Sequence, residues 1–153
     1  MRVYRYVGPA EHRSGITHAG HAVTSPAALR VFDDDPIVTF VVTTDGILRI
    51  APRRSEHVAC AGGGDVLTAG ELGFSRTAIT YASNQSTGFC PAIESFSALA
   101  AALDAARIPR PATWTVAFEF RRCPACNERN IVKDDHFECA LCGAELPRHW
   151  NFA

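Results

Sequence analysis

The chain has 153 residues, with 15 Lys/Arg against 16 Asp/Glu and a formal net charge of −1. That length holds one modest core plus a small appendage, and no run of about eighteen apolar residues is present to cross a bilayer as a helix. Charge is balanced along the chain, ten Lys/Arg and eleven Asp/Glu in residues 1–120 and five of each in 121–153, which removes the phosphate attraction that drives nonspecific nucleic-acid binding.

Residues 3–7 alternate in the manner of a first strand, stopped by Gly8-Pro9. From there to Ala28 the signals are turns, at Gly15, Gly20, Ser25 and Pro26, with Pro26 opening a short helix through Leu29. Ile37 to Val42 is an apolar β-branched run, Thr43 to Gly46 a turn, and Ile47 to Ile50 the return strand, which together make the strongest hairpin signal. Between Glu56 and Phe74, Gly62-Gly63-Gly64 and Gly70 predict tight connections between short strands. Thr77 to Ala82 reads as a strand leading into the polar loop 83–88. In Pro91 to Arg107, Phe96, Leu99, Ala100, Leu103 and Ala106 recur at helical spacing and predict a helix with a core-facing stripe. Ile108-Pro109-Arg110-Pro111 ends it, and Thr113 to Phe120 is expected to be a strand. The fold class expected is α+β, a small, mostly antiparallel sheet with one principal helix over 1–120, followed by a zinc ribbon over 121–153. Trp114, Phe118, Phe120, Leu146 and Trp150 are the residues available to dock the ribbon, which is too small to have much core of its own.

Cys123-Pro-Ala-Cys126 and Cys139-Ala-Leu-Cys142-Gly143 are separated by twelve residues. Two Cys-x2-Cys knuckles at that distance have the spacing of a structural zinc site, because a two-residue gap lets each knuckle curl both thiolates onto one ion. Gly143 supplies the backbone freedom the knuckle needs. Disulfides are the alternative, disfavoured because cysteines two residues apart are poorly placed for bridging; iron is the alternative metal. Four cysteine ligands leave no open coordination position, so one structural Zn2+ per chain is expected. With Cys60 and Cys90 the chain has six cysteines and no signal-peptide pattern, which points to a reducing, cytoplasmic setting.

Candidate chemistry outside the metal centres on Glu56 and His57, with Cys60, the glycines 62–64, Glu71 and the polar loop ending at Cys90. His57 is the proton-transfer candidate and Glu71 its orienting partner, with Ser86, Thr87 or Cys90 as the available nucleophiles. Arg54, beside Arg53, suits a small anionic ligand, and Glu56, Asn84, Ser86 and Thr87 complete a ligand-binding border. The competing reading is a hydrogen-bond network that only fixes a bend, with both cysteines as buried apolar side chains. No nucleophile elbow, phosphate loop or dinucleotide fingerprint is present. His12, His18 and His21 form a loose group without an obvious fourth ligand.

The segment His57 to Cys90 resembles the conserved module of plant IQ-motif proteins. The residues that carry this are His57, Gly62, Gly63, Val66, Ala69, Gly70, Glu71, Ser83, Asn84, Ser86, Thr87, Gly88, Phe89 and Pro91. Thr87 and Cys90 depart from that module's loop, so a histidine role there is not carried over. The whole chain also resembles small uncharacterised bacterial zinc-ribbon proteins ending in a CPxC, CxxCGxxLP and WNF pattern. Both resemblances imply one folded unit and attach no reaction. The function expected is a zinc-binding protein with a ligand- or protein-binding role; the alternative is a small hydrolase or transferase acting on a nucleotide-like or modified-protein substrate through His57 and Glu71. The expected partners are a protein or a small anionic ligand, with neither nucleic acid nor membrane among them.

Overall fold

The computed structural model describes residues 1–34 and 36–153. Five antiparallel strands, β1 (His21–Val23), β2 (Ile37–Thr43), β3 (Leu48–Pro52), β4 (Val66–Ser75) and β5 (Ala78–Ser83), form one sheet in the order β1-β3-β2-β4-β5. The β2–β3 hairpin follows directly from the sequence: Gly46, at φ 83°, closes the turn with its N–H on the Thr43 carbonyl at 2.8 Å. β2 lies at the centre with both faces covered, which is why it reads as a continuous apolar run rather than an alternating one.

Alternation along the strands divides the core in two. Val38, Phe40, Val42, Leu48, Ile50 and Leu72 pack on one face under Leu99 and Leu103 of the principal helix. Val41, Ala51, Val66 and Ala69 pack on the other under Val58, Phe89 and Tyr4. Two helices supply the cover: α1 (His57–Cys60), a single turn, and α2 (Phe96–Ala105), introduced by a 3-10 turn at Ile93–Ser95. A further 3-10 helix at Pro26–Phe32 starts where Pro26 was expected to open one and runs past Leu29. The four-cysteine segment contributes its own hairpin, β6 (Glu119–Arg122) paired with β7 (Arg129–Val132).

Several expectations need correction. Residues 3–7 make only one bridge, Tyr4 with Val66, before Val7 donates to the Gly88 carbonyl, so this extended segment leaves the sheet edge instead of joining it. The region Glu56–Phe74 holds one helical turn and the longest strand, not a set of short strands. Gly70 and Gly73 lie inside β4 because neighbouring backbone and the Tyr81 side chain crowd them. Of the stretch 113–120, only Glu119 and Phe120 are in a strand; upstream, Thr115 and Val116 bond the Ala82 carbonyl and cover the edge of β5. Trp114 belongs to the main core, against Phe40 and Phe96, and Leu146 to the small cluster around Cys123 and Cys139. Trp150 holds the cysteine segment to the body, donating its indole N–H to the Cys90 carbonyl at 2.7 Å and meeting Tyr4 edge-on at 5.3 Å.

Candidate metal centre and the His57 cluster

Each knuckle is built by the same backbone device. The Cys123 carbonyl accepts from Asn127 N–H and the Cys139 carbonyl from Gly143 N–H, both at 2.9 Å. Cys123 N–H bonds Glu128, and Cys139 N–H bonds Ala144, both at 2.8 Å. The repeat requires a left-handed residue directly after each Cys-x2-Cys, met by Asn127 at φ 68° and Gly143 at φ 79°. Among residues with a Cβ, asparagine is one of the few that adopt this conformation readily.

The result brings all four Sγ atoms within 4.8 Å of one another. Cys123 and Cys142 are 3.6 Å apart, as are Cys126 and Cys139. A disulfide needs about 2.05 Å, whereas four sulfurs at about 2.3 Å from a tetrahedral ion are separated by about 3.8 Å. The donor set and its spacing therefore fit a metal ion, and among the described residues this is the one such group. His12, His18 and His21 do not form another.

Asn130, buried on β7, links the two knuckles. Its Nδ2 donates to the Glu128 carbonyl (3.2 Å) and the Cys139 Sγ (3.4 Å), and its Oδ1 accepts from Ala140 N–H (2.9 Å). Backbone N–H groups, the Cys142 amide foremost, together with the Asn130 amide lower the Cys139 thiol pKa and so favour its thiolate. Sequence reasoning missed both asparagines. The matching position of Asn127 and Gly143 after the two knuckles was the visible signal for one; nothing local marked Asn130.

The His57 cluster assembles in part. Thr39, Glu71 and Ser83 lie side by side in register across β2, β4 and β5, and His57, at the start of α1, reaches this region with Nε2 2.8 Å from the Gly70 carbonyl. A carbonyl only accepts, so Nε2 carries the proton and the neutral ring leaves Nδ1 as its bare nitrogen. Burial is the main cause of the lowered His57 pKa; the Gly70 carbonyl, Glu71 and Glu56 oppose it. Glu71 does not orient the ring: its Oε2 is 2.9 Å from Arg53 Nε. Glu56 faces His12 at 3.7 Å, and Arg54 is exposed.

In the 84–88 loop the Asn84 and Ser86 side chains are spent on the loop's own backbone and on the approach to the cysteine segment, while Thr87 is exposed. Asn84 Nδ2 donates to the carbonyls of Pro91 (3.1 Å) and Phe118 (2.8 Å), and its Oδ1 accepts from Phe118 N–H (2.7 Å). Ser86 Oγ accepts from Phe89 N–H, and the Thr87 carbonyl accepts from Arg129. Burial pushes the thiols of Cys60 and Cys90 up to about 12, which disarms both as nucleophiles at neutral pH.

The clefts lie elsewhere, one of roughly 540 Å³ between Arg30, Asp33, Arg76 and Thr77. Clefts of roughly 450 Å³, 230 Å³ and 370 Å³ all have Trp150 in their walls, at the junction of the cysteine segment with the body. Compared with models of known families, with curated proteins and with solved structures, the chain matches none.

Proposed function

We propose that this is a cytoplasmic zinc-ribbon protein that binds a ligand or protein partner, with one structural Zn2+ per chain. The carrying observation is the group of four Sγ atoms within 4.8 Å. Four thiolates fill a tetrahedral ion, so the metal offers substrate no vacant position and its contribution is to folding. The binding role is supported by the placement of the clefts around Trp150, where the two parts of the chain meet, a preferred location for ligand sites. Protein purified without chelator should contain one zinc per chain. Thiol modification should release it and expose 121–153 to protease, while the sheet domain survives. Absence of both zinc and iron would defeat the proposal.

A hydrolase or transferase acting on a nucleotide-like or modified-protein substrate is the second reading. The neutral, partly buried His57 with a bare Nδ1 favours it. It asks more of the residues around that ring, since Glu71 is paired with Arg53 and the Asn84 amide is fully engaged.

A further inference from the structure

Trp150 carries the Arg2 guanidinium over its ring at 4.4 Å, and Phe152 lies 5.7 Å from it, centroid to centroid, on the same tail. Arg2 and Trp150 are common to two of the clefts and form the ridge between them. The cleft of roughly 370 Å³ is completed by Val3, Arg5, Phe152 and Ala153, and its size falls in the range, about 300–1,000 Å³, of small-molecule sites. No acidic side chain is among its lining residues, and none of the ion pairs among the described residues takes Arg2 or Arg5. A guanidinium held over indole does not spend its N–H groups on the ring, which leaves donors for an anion. Phe152 and the exposed Val3 give the same cleft an apolar wall, and Arg122 stacks over Phe152 at 5.1 Å, adding a further positive charge beside it.

We propose that this cleft binds a small organic anion with a planar aromatic body, the anionic group on Arg2 and Arg5 and the ring against Trp150 and Phe152. The proposal rests on the binding reading above and names the ligand class of that role. Phosphate and carboxylate both satisfy the guanidinium pair, so the ligand is either a nucleoside monophosphate or an aromatic carboxylate. Net charge near neutrality does not oppose this: a short-range contact with two guanidinium groups depends on the local charge and not on the sum over the chain.

The test titrates the zinc-loaded full chain with adenosine monophosphate, naphthoate, inorganic phosphate and adenosine, reading the two indole N–H resonances and the arginine Nε resonances. One or both aromatic anions should move the Trp150 and Arg2 signals saturably, leave Trp114 in place, and identify the source by which binds more tightly. Arg2→Gln and Arg5→Gln, on exposed side chains, should each weaken that binding by about tenfold or more, the worth of a charge-assisted hydrogen bond. Phosphate binding as tightly as the nucleotide would overturn the aromatic half of the assignment, and adenosine binding as tightly would overturn the anionic half. No response to any probe from protein that still holds one zinc would overturn the cleft assignment while leaving the structural-zinc reading intact.

Discussion

Replacing Asn130 with alanine isolates the link between the knuckles. The side chain gives a hydrogen bond to the Cys139 sulfur and two backbone bonds that hold the knuckles in register, at Glu128 and Ala140. Ala140 is exposed, so water replaces part of what its N–H loses, while the sulfur bond and the register are not replaced. The net cost should therefore be about 1–2 kcal/mol, below the full penalty of three buried orphans, which corresponds to roughly 5- to 30-fold weaker metal binding. Competition for zinc against a chromophoric chelator at neutral pH measures this directly. Asn130→Asp sharpens the test, because it keeps an acceptor for Ala140 N–H but loses the donor and sets a negative charge beside a thiolate; it should bind zinc more weakly than the alanine variant. Alanine and aspartate variants that both hold zinc like the parent chain would refute the argument that Asn130 supports the site.

Gly70→Ala should destabilise the sheet by about 3 kcal/mol or more in denaturant melts, since the new Cβ would run into the Ser83 carbonyl, with its carbon at 2.8 Å and Asn84 Cα at 2.9 Å. His57 has a folded pKa below its unfolded value, so the unfolded chain takes up more protons as pH falls through about 6.5 and native stability drops. Compared with His57→Gln, the parent chain should lose up to about 1.4 kcal/mol more per pH unit in that window; equal slopes would show that the ring is not held neutral. Cys60 and Cys90 should resist iodoacetamide at pH 8 in the native zinc-loaded protein and react on denaturation, as peptide mapping would report; rapid native alkylation of either would contradict its burial.

The elements that could be read in the sequence are those whose information is local. The β2–β3 hairpin announces itself by two apolar runs around Asp45-Gly46, α2 by its stripe at Leu99 and Leu103, and the four clustered cysteines by spacing alone. Long-range contacts explain the failures. Gly70 resembles a strand breaker in sequence, yet it is required inside β4 by the approach of Ser83, thirteen residues away. Glu71 and His57 do come to the same region, but Arg53 takes the carboxylate, a competition that no spacing rule encodes. Asn84 looked like a ligand-binding side chain; its actual partners include Phe118, thirty-four residues on, where it fixes the path into the cysteine segment. β1, three residues long, carries too short a pattern to stand out from the turns around it.

X-ray absorption at the zinc edge is the most direct measurement of the metal centre. Four-thiolate coordination by Cys123, Cys126, Cys139 and Cys142 should give a single shell of four sulfurs at about 2.3 Å, unchanged in His12→Ala and His57→Gln variants and lost in Cys139→Ser. A shell containing nitrogen or oxygen, or full metal retention by Cys139→Ser, would contradict a closed, structural four-cysteine site.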